Sequence, residues 1–315
     1  MGTFYIQNEQ DWVWHDWMKL DADERAEWVQ KYPECGAWLT EYERRKANYT
    51  EVYAHRGEDN ALCGTLTVCQ DLNRPDRLCL VHYYISSRML ITIGLSENLF
   101  TRTTHAALLE KLQQVENATE GFMLILGELI NTYLDGMDEF ELELMKLERR
   151  MQERNGLHVL DEIINRRFEL LRRTSITMPL REILCAAEEA FEEQVTEKSE
   201  YKRTEARLRR ITMLEQHYEQ EVEKLLRIDD NITNYRGNDI MKTLTVFTVV
   251  CTPVMSFGAL WGMNFKFMPE LEWKWGYAGS IGLILASTLA VYYWMRYKGW
   301  TGDILRGRRK DSNIK

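Results

Sequence analysis

Residues 243–265 read TLTVFTVVCTPVMSFGALWGMNF, a stretch of 23 residues without a charged side chain. A second uncharged stretch of 21 residues, WGYAGSIGLILASTLAVYYWM, occupies 275–295. About 20 apolar residues are needed to cross the ~30 Å hydrocarbon core of a bilayer. Soluble helices of this length normally have a charged face, and these stretches have none. We therefore predict two membrane-spanning helices; a buried helical hairpin in a soluble core is the alternative.

Basic residues are concentrated at one end of each predicted span. Arg236 and Lys242 precede the first span, and six more basic residues lie within 296–310. The connecting loop, residues 266–274, balances two lysines with two glutamates. The positive-inside rule then places both termini in the cytoplasm and the loop outside. Because no signal-peptide pattern is visible at the N-terminus, we expect a multi-pass protein of the cell membrane with residues 1–235 in the cytoplasm.

The charge of the chain is unevenly distributed. The 315 residues carry a net charge of −9, of which residues 1–235 contribute −15 and residues 236–315 contribute +6. An acidic body does not suit nucleic acid, whose phosphates require a basic surface, but it suits divalent cations or simple solubility. We find no Walker-type loop, Gly-x-Gly-x-x-Gly, His-Glu-x-x-His or catalytic triad. The sequence therefore predicts neither an enzyme nor an ATP-driven pump, and no organic cofactor.

Polar or small side chains follow one face of the first predicted span. Thr245, Thr248 and Thr252 are spaced by three and four residues, which places them on one side of a helix. Three explanations are open. The hydroxyls can bond back to the carbonyl at i−4, small residues can tighten helix packing, or several copies of the helix can line a water-filled pore. Two spans cannot enclose a pore, so a pore requires an oligomer.

The ends of the first span carry recognisable motifs. They are WGMNF at 261–265, MPEL at 268–271, WKWGY at 273–277 and, upstream, NDIMKTLT at 238–245. These motifs closely resemble the CorA family of magnesium channels, whose signature is Gly-Met-Asn at the end of the first of two C-terminal spans, followed by a short Met-Pro-Glu-Leu loop. The strong match covers residues 238–277. The remaining sequence agrees in layout, with an acidic cytoplasmic part, long helices and a basic tail.

The resemblance implies a fold and an assembly. The fold class is an α+β membrane protein with an N-terminal α/β cytoplasmic domain, and a very long stalk helix continues into the first of two C-terminal transmembrane helices. The assembly is a funnel-shaped homopentamer in the lipid membrane. The expected divisions are the α/β domain at 1–179, the cytoplasmic stalk at 180–242, the first span at 243–265, the extracellular loop at 266–274, the second span at 275–295 and the basic tail at 296–315.

The resemblance also implies roles for individual residues. Gly262, Met263 and Asn264 form the outer selectivity filter, where five Asn264 amide oxygens accept hydrogen bonds from the water shell of Mg²⁺, an ion that dehydrates reluctantly. Glu270 is the expected loop acid, because Lys266 stands where many members have an acid. Met241 and Leu244 form an apolar constriction that gates by dewetting. The expected pore-lining residues are Asn238, Met241, Leu244, Thr245, Thr248, Thr252, Met255 and Ala259.

The expected function is influx of Mg²⁺, with Co²⁺ or Ni²⁺ as further cargo, driven by the membrane potential and gated by cytoplasmic Mg²⁺. Met263 favours magnesium over the ZntB-like branch of zinc transporters, which has another aliphatic residue there. A proton-coupled zinc transporter is one alternative, and a non-conducting membrane-tethered structural or sensor protein is another. We assign no sensor site. The acidic clusters that suit one are Glu188, Glu189, Glu192 and Glu193, and Asp229 with Asp230.

The cytoplasmic part is predicted to change from helix to strand and back. Residues 1–47 read as helix, and Leu62–Val68, Cys79–Ile85 and Met89–Ile93 read as strands because β-branched and aromatic residues dominate them. Gly57, Gly64 and Pro75 are expected at turns. From about residue 102 the pattern is helical, with an end at Asn155-Gly156 and an interruption at Pro179. Residues 180–261 permit one helix of roughly 80 residues, about 120 Å long. The six cysteines are expected to be reduced.

Overall fold

The computed structural model describes residues 2–6, 12–53, 60–70, 78–153, 157–264, 266, 268–269 and 273–300. The chain divides into two compact units, Met1–Leu226 and Arg227–Lys315. The first unit contains the sheet and most helices, and the second contains both candidate spans.

Six strands form one mixed sheet in the first unit. They are β1 (Gly2–Ile6), β2 (Trp12–Trp17), β3 (Tyr49–Tyr53), β4 (Ala61–Gln70), β5 (Leu78–Ile85) and β6 (Met89–Ile93). The strand order is β1-β2-β6-β5-β4-β3, and β2 pairs with β6 in parallel while the other described pairs are antiparallel.

Helices cover both faces of this sheet. Alternate residues of a strand point to opposite faces, and Leu62 and Leu66 of β4 enter one hydrophobic core while Cys63 enters the other. The larger core also contains residues of α3 (His105–Leu112), α4 (Ala118–Glu153) and α5 (Leu157–Phe191). The smaller core contains Trp38 and Leu39 of α2 (Gly36–Glu41), and Trp28 of α1 (Ala22–Lys31) packs against it. The first unit is therefore a three-layer α/β domain.

The prediction of helix for residues 1–47 is wrong at its beginning. Gly2–Ile6 and Trp12–Trp17 are strands, and helix begins only at Ala22. Trp12 and Trp14 are two residues apart, which is the period of a strand, and both are buried in the larger core. The first true helix start is marked by Glu24, whose carboxylate accepts a hydrogen bond from the backbone N–H of Asp21 (3.1 Å).

The predictions for the central strands are confirmed, with one correction. β4, β5 and β6 contain the three predicted runs. Gly64 does not mark a turn, because it lies inside β4, where a Cβ atom would collide with the carbonyl of Tyr49 and the ring of Tyr83. The predicted turns at Gly57 and Pro75 lie outside the described residues.

Proline does not interrupt the helix as predicted. α5 runs from Leu157 to Phe191 and contains Pro179. Proline removes one backbone hydrogen bond from a helix, but the neighbouring Leu180 and Ile183 are buried in the larger core. Their packing keeps the helix continuous. The predicted end at Asn155-Gly156 agrees with α4, which ends at Glu153, and with α5, which begins at Leu157.

The predicted continuous helix over 180–261 is also wrong, and the stalk helix does not begin at residue 180. α5 ends at Phe191, Glu192 has φ +47°, a short helix α6 (Glu193–Thr196) follows, and α7 (Ser199–Trp261) then runs for 63 residues. At 1.5 Å per residue α7 is about 95 Å long.

The helix breaks at Glu192 because α5 and α7 pack antiparallel. Arg181 near the middle of α5 donates a hydrogen bond to Thr212 (2.6 Å), whereas Glu188 near its end accepts one from Tyr201 at the start of α7. The chain must therefore reverse its direction between the two helices.

A disulfide departs from the expectation of six reduced thiols. Cys35, Cys63, Cys185 and Cys251 are free thiols, whereas Cys79 is disulfide-bonded. Its Cα atom pairs in register with that of Cys69 across β4 and β5.

Candidate ion pathway

Two described helices are long and apolar enough to cross a membrane, namely α7 and α8 (Gly276–Tyr297). Within the apolar part of α7 no residue is buried, and within that of α8 the buried share is 6%. A core helix of a soluble protein would be mostly buried. This exposure disfavours the alternative of a buried hairpin.

The middle of α7 is exposed on all sides. Every residue from 233 to 245 is exposed, including the large apolar side chains of Tyr235, Ile240, Met241 and Leu244. Exposed apolar surface of this extent marks contact with a membrane or with another protein chain.

The predicted pore-lining residues lie on an open face of α7. All eight are exposed: Asn238, Met241, Leu244, Thr245, Thr248, Thr252, Met255 and Ala259. Most half-buried residues of the same segment lie in a stripe on another side of the helix, namely Val246, Val249, Val250, Pro253, Phe257 and Trp261, and Cys251 is the exception. With 3.6 residues per turn, the two stripes are centred roughly 150° apart around the helix. Beyond residue 245 the polar stripe therefore lies away from the side that the chain partly covers, and apolar residues such as Phe247 and Val254 are exposed as well.

The threonines of this stripe all bond to their own helix. The hydroxyl of Thr245 donates to the carbonyl of Met241 (2.7 Å), that of Thr248 to Leu244 (2.9 Å) and that of Thr252 to Thr248 (2.8 Å). The i−4 bonding foreseen from the sequence is thus present. A hydroxyl that donates its hydrogen still has two lone pairs, so each oxygen on this face remains a hydrogen-bond acceptor.

The Gly-Met-Asn tripeptide follows directly after the end of α7 at Trp261. The N–H of Gly262 donates to the carbonyl of Gly258 (2.9 Å), and Gly262, Met263 and Asn264 are exposed. A Cβ atom at position 262 would lie 2.9 Å from that same carbonyl oxygen. Any larger residue would therefore have to shift the last turn of the helix.

The predicted loop is only partly described. Lys266, Met268 and Pro269 belong to the described residues, whereas Glu270 lies outside them. α8 begins with the N–H of Gly276 bonded to the carbonyl of Trp273 (2.9 Å). Trp275 and Tyr277 beside this start are strongly exposed, as aromatic residues at a membrane interface would be.

The acidic clusters do not form a metal site within one chain. Among the described residues no group of three or more His, Cys, Asp or Glu side chains is arranged to hold a metal ion. Glu188 instead accepts a hydrogen bond from Tyr201, and Glu192 occupies the reversal between α5 and α6. Asp229 is buried and Asp230 is exposed, both on α7.

An ion pair between the buried carboxylate of Glu128 and the exposed Lys111 in the first unit was not predicted from the sequence. The carboxylate of Glu128 accepts hydrogen bonds from Lys111 (2.8 Å) and Thr103 (2.6 Å). Burial alone would raise the pKa of Glu128, but these hydrogen bonds outweigh it and the pKa is lowered. The three residues come from separate helices or loops, so no local motif signals them. The pair stabilises the domain and is not part of the candidate pathway.

These features define a class of protein. An α/β unit is followed by a long helix whose last third is apolar, bears an open polar stripe and precedes a second apolar helix. This is the layout of a two-span membrane transport protein.

Comparison with known proteins identifies the family. The chain matches the family described as CorA-like Mg²⁺ transporter protein over residues 9–297, and it belongs to that family. The magnesium transport protein CorA of Bacillus subtilis is 34% identical over 303 residues, which cover 96% of this chain and 95% of that protein. A magnesium transport protein CorA of Haemophilus influenzae is 41% identical over 96 residues, 30% of each chain. The recognition made from the sequence motifs is confirmed.

Solved structures share the fold. The complete CorA magnesium transporter from Methanocaldococcus jannaschii aligns with a TM-score of 0.68 at 20% identity, covering 92% of this chain and 91% of that one. The cytoplasmic domain of ZntB from Vibrio parahaemolyticus aligns with a TM-score of 0.55 at 14% identity, covering 71% and 88%. The expected combination of an N-terminal α/β domain, a long helix and two C-terminal candidate spans is thereby confirmed.

Proposed function

We propose that this chain is a subunit of a magnesium channel of the cell membrane, a funnel-shaped homopentamer in which five α7 helices surround a path for hydrated Mg²⁺. The observation that carries the proposal is the open stripe from Asn238 to Ala259, which ends beside Gly262, Met263 and Asn264. The full-length relative from Bacillus subtilis, named as a magnesium transport protein, supports the choice of ion.

Assembly follows from what one chain leaves uncovered. Residues 233–245 are exposed on every side of α7, and the polar stripe faces away from the half-buried stripe. Two spans cannot enclose a pore, but a closed ring of identical subunits can place one helix from each around a common axis. In such a ring the polar stripe faces the axis, and the apolar residues beside it face neighbouring helices and lipid.

The chemistry of the stripe suits a cation that keeps its water. Water molecules bound to Mg²⁺ point their hydrogens outward, so a pathway for the hydrated ion needs acceptors. The oxygens of Thr245, Thr248 and Thr252 are acceptors because their hydrogens are bonded to the helix backbone. A ring of Asn264 amide oxygens supplies further acceptors without a formal charge. Uncharged acceptors bind weakly enough to release the ion, as conduction requires.

The remaining parts of the proposal concern direction and control. Met241 and Leu244 form the apolar constriction at the inner mouth, Asn238 forms the inner ring, and Glu270 attracts cations to the outer loop. Both termini are cytoplasmic. The membrane potential supplies ~2.3 kcal/mol per charge for each 100 mV, doubled for a divalent ion. A regulatory Mg²⁺ would take ligands from two neighbouring copies, since the described residues of one chain offer no cluster of three.

Ion flux into proteoliposomes tests the proposal. The purified protein is reconstituted, and entry of Mg²⁺, Co²⁺, Ni²⁺ and Zn²⁺ is measured first with an imposed potential and then with an imposed pH gradient. We expect Mg²⁺ entry that increases with the potential and does not respond to the pH gradient. Entry of Zn²⁺ that requires the pH gradient would place the protein with the zinc transporters instead. The absence of any flux would favour a structural or sensor role.

A further inference from the structure

A cavity of about 240 Å³ lies in the first unit, between the end of β4 and the helices α4, α5 and α7. Val68, Met137, Ile176 and Ile211 provide much of its wall, so its lining is largely apolar. This composition is typical of small-molecule sites, in which a few polar groups fix the orientation of a ligand.

An arginine without a counter-charge lines this cavity. The guanidinium of Arg172 makes no hydrogen bond or ion pair to any residue in the part of the chain that the structure describes, and its Nε atom is buried. The neighbouring arginines differ, because Arg166 and Arg173 both bind the carboxylate of Glu169, at 2.6 and 2.8 Å. A buried N–H donor such as the Nε of Arg172 is unfavourable without an acceptor, unless something else supplies one.

Arg173 also lines the cavity, and only some of its hydrogen-bond donors have a partner. Arg173 uses Nη2 for Glu169, but its Nε is buried and has no partner among the described residues. Glu215 also lines the cavity, and its carboxylate accepts a hydrogen bond from Thr177 (2.7 Å). Glu215 is the one carboxylate among the described residues that line the cavity, against two arginines. The cavity is thus apolar with an excess of positive charge.

We propose that this cavity binds a small organic anion, a carboxylate attached to an apolar body about the size of one ring. The carboxylate would accept hydrogen bonds from the guanidinium groups of Arg172 and Arg173, and the apolar body would lie against Ile176 and Ile211. Arginine suits this task because its planar donors match the two oxygens of a carboxylate. The site is separate from the candidate ion pathway and does not depend on transport.

A pair of probes that differ only in charge tests the site. 4-Fluorobenzoate and its neutral analogue 4-fluorobenzamide are titrated with the full-length protein in lipid nanodiscs and observed by ¹⁹F NMR. We expect saturable binding of the benzoate, and binding of the amide that is weaker by about ten-fold or more, because the amide offers the guanidinium groups no charged acceptor. Equal behaviour of the two probes would overturn the proposal.

Three variants locate the binding. Arg172→Gln should weaken benzoate binding by about ten-fold, whereas Arg210→Gln, which removes an exposed arginine of α7 outside the cavity, should leave it unchanged. Ile176→Trp should block the cavity, and circular dichroism would verify that each variant is folded. Equal losses for Arg172→Gln and Arg210→Gln would contradict the site. So would normal benzoate binding by a folded Ile176→Trp variant, or a finding that Arg172→Gln dissociates the oligomer without altering benzoate binding.

Discussion

Helix α7 has two parts, residues 199–229 and residues 238–259, in which the same spacing of residues occurs in opposite surroundings. In the first part every residue of a three-and-four pattern is buried: Tyr201, Thr204, Leu208, Ile211, Glu215, Tyr218, Val222, Leu225 and Asp229. In the second part the same spacing connects Asn238, Met241, Thr245, Thr248, Thr252, Met255 and Ala259, and every one of them is exposed. Periodicity therefore identifies the face of a helix that will be covered. It does not say whether the covering partner is the same chain, another copy, lipid or water.

The partners of the first part are visible in the structure. Ile211 contributes to the core shared with the sheet, and Tyr218 and Val222 pack with Phe140 and Leu144 of α4. Polar members of this stripe are also satisfied within the chain, since Thr204 donates to the carbonyl of Met123 (2.9 Å) and Tyr218 to Glu141 (3.1 Å). The second part has no such partners among the described residues, which is why we assign its partners to other subunits and to the ion.

The largest expected effect is on the free energy of unfolding, which should respond differently to the same substitution in the two parts of α7. Ile211→Ala removes three carbon atoms from a fully buried position and should lower the free energy of unfolding of the first unit by about 2–5 kcal/mol. Ile240→Ala makes the same change in the exposed part of α7, where the side chain is 67% exposed. This substitution should alter the free energy of unfolding by less than about 0.5 kcal/mol. Urea unfolding monitored by tryptophan fluorescence gives both values. Similar losses would show that the contrast between the two parts is false.

The next effect is a loss of Mg²⁺ flux on substitution in the Gly-Met-Asn tripeptide. Asn264→Ala removes from every subunit the amide oxygen proposed for the selectivity ring, and we expect Mg²⁺ flux to fall by about ten-fold or more, because each lost hydrogen bond contributes about 0.5–1.5 kcal/mol. Asn98→Ala makes the same change at an exposed position of the first unit and should leave flux unchanged. Light scattering after size-exclusion chromatography would establish that both variants keep the oligomer. Unchanged flux in an intact Asn264→Ala oligomer would remove this residue from the pathway.

A smaller effect tests the threonine stripe. Thr248→Val keeps the shape of the side chain but removes the acceptor, and we expect Mg²⁺ flux to fall several-fold. Thr243 is the matched control, because its hydroxyl bonds in the same way to the carbonyl of Asp239 (2.9 Å) but lies off the stripe, roughly 140° from Thr248. Thr243→Val should therefore conduct normally. If both variants conduct equally, the hydroxyls serve only the helix backbone.

The last expected effect is a pH dependence of the stability of the first unit. Burial lowers the pKa of His15 and of His82 to about 4, whereas both histidines titrate near 6.5 when unfolded. The unfolded chain therefore binds more protons as the pH falls from about 6.5 towards 4, and stability is lost over that range. Replacing His82 by Gln should flatten the pH dependence of the urea midpoint. Protonation of Glu128 causes a separate loss of stability only at lower pH, because the pKa of Glu128 is below the ordinary value. An unchanged slope in the variant would contradict the assignment.

The sequence was most informative where one physical property dominates a whole segment. The absence of charge over 243–265 and 275–295 predicted both spanning helices, and runs of β-branched residues predicted β4, β5 and β6. The Gly-Met-Asn tripeptide with its loop identified the family. These signals are local, so no knowledge of the tertiary structure was needed.

The errors arose where tertiary packing decides. Nothing in the local sequence marks Glu192 as a reversal, and the chain turns there only because α5 and α7 pack antiparallel. Pro179 was expected to interrupt α5, yet the buried residues beside it keep the helix continuous. The two-residue spacing of Trp12 and Trp14 did indicate a strand, but the surrounding acidic residues favoured the interpretation as helix. The pairing of Glu128 with Lys111 depends on two helices and has no sequence signal.

The central claim is that the polar stripe of α7 faces water and that the opposite stripe does not. Cysteine accessibility tests it directly, in a background where Cys251 and Cys185 are replaced by serine. Cysteines introduced singly at Thr248 and at Val250 are treated in proteoliposomes with a charged, membrane-impermeant thiosulfonate, and both labelling and Mg²⁺ flux are recorded. We predict that the cysteine at 248 is labelled, that its labelling blocks flux and that Mg²⁺ slows the reaction, whereas the cysteine at 250 is not labelled. Labelling at 250 alone, or labelling at 248 without any effect on flux, would contradict the account.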